Sequence, residues 1–389
     1  MTVEEFEEYF AELEKKKIIT TKSSEESDKP DLNLIHAFES KTSDKVKIRK
    51  MLEIQKRWSD SLENCEDVEK YIVQSAEIVA GTCTGFISND YIRDMAFDYL
   101  IIDEAAKATL TELAVSLYGA KKAILVGDHK QLPPTIDTDI IKQMNVSGED
   151  KQKLHDGVFK LLYENLPNEN KITLDCQYRM HPAIGTLISS TFYDNKIGNG
   201  VSAEDRNVGI KEYENTAIEW ISTSSFPNRF ESADGDSYVN NLEVKIIEKK
   251  LQQIDMSAVK IGKHFKIGVI TAYGSQKRAL RNMINRSDYN NIEVEVDTVD
   301  AFQGGQREII IYSTVRSNKK GIIGFLKSDE RLNVSLSRAQ SLLIITGDLD
   351  FLHGAKRKGG SFPEIIDYIK KTEHCRITDW SEENEKYNC

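Results

Sequence analysis

The sequence predicts an α/β fold of two parallel-sheet units, the first incomplete, led by a helical N-terminal segment. Three observations predict it. From residue 77 onward, short apolar runs end in Asp, Gly or Thr and alternate with amphipathic stretches. The runs are continuous rather than alternating, as strands covered on both faces require. The 389 residues, 39% of them hydrophobic, suffice for two domains at roughly 100–200 residues each.

Residues 1–75 are highly charged and largely helix-forming, notably Val3 to Lys17 and Val46 to Val73. The polar run Thr20-Thr21-Lys22-Ser23-Ser24-Glu25-Glu26-Ser27-Asp28-Lys29-Pro30 interrupts them. A helical hairpin or stalk with a flexible segment is one reading; a partly disordered leader is the other. The first strand series is Glu77-Ile78-Val79-Ala80-Gly81-Thr82, Tyr99-Leu100-Ile101-Ile102-Asp103 and Ala123-Ile124-Leu125-Val126-Gly127-Asp128. The second is Ile267-Gly268-Val269-Ile270-Thr271, Glu308-Ile309-Ile310-Ile311-Tyr312-Ser313 and Leu342-Leu343-Ile344-Ile345-Thr346-Gly347-Asp348. Units over 76–165 and 166–372, joined near 160–175, fit this pattern, with a polar tail over 373–389.

The bulk properties narrow the function classes. No apolar run approaches the roughly 18–20 residues of a membrane span, and Met1-Thr2-Val3-Glu4-Glu5 lacks the features of a signal peptide. The five cysteines form no CxxC pair and the seven histidines no ligand spacing. A reduced cytoplasmic or nuclear protein without structural zinc follows. The net charge of −11 argues against coating nucleic acid by bulk electrostatics, yet leaves room for a local basic channel.

Polar residues at the carboxyl ends of parallel strands are where ligands bind. Asp103 and Glu104 directly follow Tyr99 to Ile102. There the first carboxylate suits a Mg²⁺ contact and the second suits polarising a water. The next run ends in Gly127-Asp128-His129-Lys130-Gln131-Leu132-Pro133-Pro134-Thr135. Gln131 in that turn is placed to hydrogen-bond a terminal phosphate, and the diproline stiffens it. The chain contains no Gly-x-x-x-x-Gly-Lys-Ser/Thr loop of the Walker A kind. Gly354 to Ser361 comes nearest, but Gly360 stands where the lysine belongs, and it reads as a basic surface turn.

Asp103-Glu104-Ala105-Ala106, Gly127 to Pro134, and Gln177-Tyr178-Arg179-Met180-His181-Pro182 follow one another in order. Val299-Asp300-Ala301-Phe302-Gln303-Gly304 and Arg331-Leu332-Asn333-Val334-Ser335-Leu336-Ser337-Arg338-Ala339 complete the series. Together they resemble the successive motifs of the superfamily 1 helicases of the nonsense-mediated-decay and tRNA-splicing-endonuclease-associated type. Specifically, they resemble that family's C-terminal portion. The resemblance implies two RecA-like units with ATP and Mg²⁺ between them, and 5′-to-3′ movement on single-stranded DNA or RNA.

Carried over position by position, Asp103 would hold the metal, with Glu104, Gln131, Arg179 and Arg338 completing the catalytic set. Tyr178 would stack on the adenine, while Gln306 and Gly304 would also line the nucleotide site. Gly81 and Thr82, with Thr271, Tyr273, Gln276 and Thr298, would hold the nucleic-acid strand without reading its bases. Tyr273 reads equally as a core or hinge residue. Lys107 stands where the family commonly has Gln, and Gln306 where it commonly has Glu. The resemblance leaves two activities open: an ATP-driven helicase or translocase, or a non-hydrolysing subunit that completes the ATP site of a partner polypeptide.

Overall fold

Along the run Arg307–Ser313, the side chains of Ile309 and Ile311 enter one buried cluster, while Ile310 and Tyr312 enter another. Both faces of this strand are therefore covered, which is why its sequence is uniformly apolar. The structure is a computed structural model; it describes residues 53–57, 68–93, 95–136, 148, 156–302, 305–354 and 360–380. Most of the expected N-terminal stalk, Gly304 and the basic turn at 355–359 lie outside the described residues. None of the described helices is long and apolar enough to cross a membrane.

Chain contacts divide the described residues into two compact units. One takes its residues from Met1–Ile102 and Leu110–Ile124, the other from Asp103–Thr109 and Leu125–Cys389. In the first, β1 (Phe97–Ile102) and β2 (Ala120–Leu125) form a two-stranded sheet. Around it come α1 (Val68–Ser75), α2 (Cys83–Ser88), α3 (Asp90–Arg93) and α4 (Leu110–Leu117). The expected strand at Glu77–Thr82 is absent. Those residues form an irregular segment in which Ile78 is 86% exposed, and Thr82 caps α2 by accepting from the Gly85 N–H at 3.0 Å. An apolar run becomes a strand only with a ladder partner, and this one finds none among the described residues.

In the second unit, α5 (Val158–Asn165) occupies part of the stretch where the sequence placed the joint. Short pairs β3 (Cys176–Gln177) with β4 (Gly198–Asn199), and β6 (Ser232–Asp234) with β7 (Ser237–Val239), flank the main sheet. That sheet contains β5 (Ile218–Ser222), β8 (Phe265–Thr271), β9 (Ile292–Thr298), β10 (Arg307–Ser313), β11 (Ala339–Gly347) and β12 (Cys375–Asp379). Its order is β12-β5-β11-β10-β8-β9, parallel throughout. Helices α6 (Pro182–Phe192), α9 (Asp329–Leu336) and α11 (Phe362–Lys371) contribute to the cluster holding Ile310. On the other side α7 (Asn241–Ile261) and α8 (Gly274–Ile284) cover Ile309 and Ile311; the short α10 (Leu349–His353) follows β11.

A charged cluster sits at the β5–β12 end of the sheet. Glu219, in β5, is fully buried beside Lys250 at 3.4 Å and Arg376 at 2.8 Å. Burial opposes its ionisation, but Lys250 and Arg376 outweigh that and hold its carboxyl below the usual range. Arg376 belongs to β12, so residues 375–379 are an edge strand and not the polar tail expected from their composition.

Candidate phosphate-binding site

The acidic turn is built on a strained residue. Glu104 adopts left-handed backbone angles, φ 53° and ψ 34°, and its N–H donates to Asp103 Oδ1 at 2.9 Å. For a non-glycine residue such geometry costs about 1–3 kcal/mol and persists only where surrounding structure fixes it. Here the fixing is visible: the Ala105 N–H donates to the Val126 carbonyl at 2.8 Å. Gly127 lets the two loops approach, since a Cβ there would stand 2.8 Å from the Ala106 nitrogen. Asp103 and Glu104 themselves remain exposed.

The turn after β2 is held by its own acid. Asp128 Oδ1 accepts from the Lys130 N–H at 2.9 Å, and Asp128 Oδ2 accepts from Gln131 Nε2 at 2.9 Å. The other end of the Gln131 amide accepts from Arg338 Nη2 at 3.1 Å. A carboxylate only accepts and a guanidinium only donates, so the amide orientation is fixed by its partners.

Arg338, 3% exposed, also donates to the carbonyls of Val334 at 3.1 Å and Gly305 at 3.3 Å. Arg179 donates to the Ser337 carbonyl at 3.3 Å. All of these bonds end on neutral oxygens. Burial, and next the like charge of Arg179, push the Arg338 guanidinium down to about 10 against the pull of Glu104. Burial likewise lowers Arg179, again opposed by Glu104. Two adjacent cations, one buried and one half-buried, with no carboxylate bonded to either, make a site that an anion would stabilise.

The segment carrying Arg179 is stapled in place. Gln177 Oε1 accepts from the N–H groups of Arg179 and Met180 at 2.9 and 2.7 Å, and Gln177 Nε2 donates to the Met180 carbonyl at 2.9 Å. Arg206 donates to the carbonyls of Tyr178 and Arg179, both at 2.7 Å. His181 caps α6, its Nδ1 accepting from the Ala183 N–H at 3.1 Å. That role needs a neutral ring, and burial, with His374 second, pushes its pKa down to about 4. The Tyr178 ring is 65% exposed and lies against Gly200, where a Cβ would come within 2.2 Å of it.

Of the residues singled out from the sequence, Glu104, Gln131, Arg179 and Arg338 are brought together, with Asp103 beside Glu104. Gln306 is exposed. Thr271, Tyr273 and Gln276 are buried, and their polar groups are engaged within the second unit. Gln276 bonds the Asn240 backbone and Ser313; Tyr273 accepts from Arg316 at 3.1 Å. Thr298 is half-buried, its N–H donating to Asp297 at 2.7 Å. Gly81 and Thr82 are exposed on the first unit. Sequence reading did not assign Gln177, Arg206, Tyr193 or Asn333. Gln177 and Asn333 sit inside quoted motifs, whereas nothing in the pattern around Arg206 or Tyr193 marks them.

Comparison with known proteins gives the following. Two family models, each described as an AAA domain, match residues 154–350 and 4–139. The "Regulator of nonsense transcripts 1 homolog" of Neurospora crassa is 36% identical over 292 residues, 72% of this chain and 25% of that protein. "ATP-dependent helicase NAM7" of Saccharomyces cerevisiae is 34% identical over 289 residues, 72% of this chain and 28% of that protein. "5'-3' DNA helicase ZGRF1" of Mus musculus is 30% identical over 353 residues, 88% of this chain and 17% of that protein. The matched region thus spans between 17% and 28% of the length of these relatives.

Proposed function

The chain belongs to the superfamily 1 helicases of the nonsense-mediated-decay type, and from that premise we propose that it acts as an ATP-dependent helicase or translocase moving 5′ to 3′ on single-stranded nucleic acid. One observation supports this above the others. Arg338 is buried and Arg179 half-buried beside it, both bonded to neutral oxygens, with Gln131 on Arg338 and the charge of Glu104 acting on both. Such a pair favours the charge that develops on a phosphoryl group in transfer.

The chain's groups fit Mg²⁺-ATP. Among the described residues no cluster of three or more potential ligands could hold a metal alone. Mg²⁺ in nucleotide sites is held through one or two carboxylates, waters and the phosphates themselves. Asp103 would be its protein ligand, with one oxygen already accepting from Glu104 N–H. When bound, Mg²⁺ would neutralise charge on the phosphates. Glu104 would orient the attacking water. Gln131 would contact the terminal phosphate, and Arg179 and Arg338 would stabilise its charge. Tyr178 would stack on the base, with Gln306 and Gly304 nearby. Gly81, Thr82, Thr271, Tyr273, Gln276 and Thr298 would line the strand's path, the buried ones among them through backbone groups or by supporting neighbours. Residues 76–165 and 166–372 serve as the two RecA-like halves in this reading, in the cytoplasm or nucleus.

A second reading is favoured by one sequence observation: residues 1–389 include no Gly-x-x-x-x-Gly-Lys-Ser/Thr loop. In it, the chain binds a single strand without turnover and completes an ATP site whose phosphate loop a partner polypeptide supplies. Unwinding of partial duplexes with a 5′ or a 3′ single-stranded overhang, in DNA and RNA, separates the readings. Displacement that needs ATP and the 5′ overhang supports the motor. Salt-sensitive binding without displacement supports the second reading.

A further inference from the structure

Tyr193 lies just beyond the C-terminus of α6 and belongs to no motif in the sequence, yet its hydroxyl is the hub of the polar cluster behind Gln131. It donates to Asp128 Oδ2 at 2.5 Å, across 65 residues of chain. It accepts from Asn333 Nδ2 at 2.7 Å, and the same amide nitrogen donates to the Lys130 carbonyl at 2.9 Å. Each bond has only one possible direction. Asp128 as a carboxylate must accept, so Tyr193 must donate to it, and Asn333 must turn its NH₂ inward. This orientation leaves the buried Asn333 Oδ1 without a partner. An orphaned buried acceptor costs about 1–3 kcal/mol. The arrangement persists because the Asn333 donors are needed on this side.

The donors therefore converge on Asp128: Tyr193 from one side, Gln131 and the Lys130 N–H from the other. Burial, then the Asp128 charge, keep the Tyr193 phenol far above its ordinary range and so protonated. We propose that Tyr193 is a positioning residue for Gln131. By fixing Asp128, its hydroxyl holds the turn 127–135 with the Gln131 carbonyl on Arg338. The residue acts chiefly through Asp128, with the Gln131 side chain also within reach of its hydroxyl. The role in turnover rests on the ATPase reading above, whereas the positioning itself does not.

Tyr193→Phe removes the hydroxyl and keeps the ring. Hydrogen–deuterium exchange is measured on the wild-type chain, Tyr193→Phe, Asp128→Asn and the double variant, alongside ATP turnover with a single-stranded oligonucleotide. In Tyr193→Phe the peptide over 127–135 exchanges roughly two- to tenfold faster, the range for losing one net hydrogen bond. A peptide over Arg307–Ser313 is unchanged, and Asp128→Asn adds little to Tyr193→Phe. Turnover at saturating ATP falls by about tenfold, with the apparent KM for ATP within about twofold. Wild-type exchange in 127–135 overturns the proposal, as does acceleration spread equally over the sheet, which would make Tyr193 a packing residue only. Local acceleration in a chain whose wild type turns over no ATP supports the positioning and contradicts the ATPase reading.

Discussion

The Arg338 guanidinium donates to the Gln131 carbonyl oxygen at 3.1 Å, joining residues 207 apart in the chain. One end of the proposed phosphate sensor is thus tied to the principal cation of the site. Any anion that draws Arg338 toward itself also perturbs Gln131, which gives the turn after β2 a physical means of registering the presence of phosphate.

Arg338→Lys tests the cation's geometry rather than its charge. A lysine keeps the charge but cannot reach the Val334, Gly305 and Gln131 oxygens together from one planar fork. ATP turnover should fall by about 10³-fold or more, within the range for losing such an arginine. Steady-state phosphate release checks it.

Gly200→Ala tests the Tyr178 platform. A methyl there would come within 2.2 Å of the ring and displace it, and the ring is 65% exposed, so the core should tolerate the change. Loss of a base–aromatic stack is worth about 1–3 kcal/mol. The apparent KM for ATP should rise by about tenfold with an unchanged melting temperature, read by turnover and thermal unfolding.

His181 makes stability depend on pH. Its pKa is pushed down to about 4 in the folded protein, by burial first and His374 second; an unfolded histidine titrates near about 6.5. Between these values the unfolded state binds the extra proton, so this contribution is present above about 6.5 and is lost as pH falls toward 4. His181→Asn, which can still cap α6 through its side-chain oxygen, should flatten the pH dependence of denaturant midpoints over that window.

Lys250→Met should destabilise the second unit. Lys250 is 1% exposed and 3.4 Å from the fully buried Glu219, which would keep only Arg376 as a charged partner. Breaking a buried pair on one side costs about 3–5 kcal/mol; the remaining arginine should hold the loss near 3. Urea unfolding measures it. Lys250→Met with Glu219→Gln should recover part of the loss.

Asp103, Glu104 and Gln131 stand out in the sequence because they follow apolar runs at the expected carboxyl ends of strands, whereas Arg179 and Arg338 are picked out only through the motif resemblance. Strands β1, β8, β10 and β11 declare themselves by continuous apolar runs, whereas β2 starts earlier than expected, at Ala120, and shares only residues 123–125 with the run read from the sequence. Strand β5 did not, because Glu219 breaks its pattern and only the fold reveals Lys250 and Arg376 as its partners. Strand β9 alternates Glu293, Glu295 and Asp297 with apolar residues, the pattern of a half-buried edge strand and not the continuous apolar run that picks out its neighbours. Tyr193 was invisible for a different reason. Its partners lie 65 and 140 residues away, and no local spacing encodes such a meeting.

The central claim is that the paired arginines and the acidic turn form a working ATP site. ATP turnover by the purified chain with saturating single-stranded nucleic acid, beside Glu104→Gln, tests it most directly. The account predicts strand-stimulated turnover that Glu104→Gln reduces by at least about 10²-fold, as expected for loss of a group that positions the attacking water. Turnover equal in both proteins, or absent from both while the strand is bound, would contradict it.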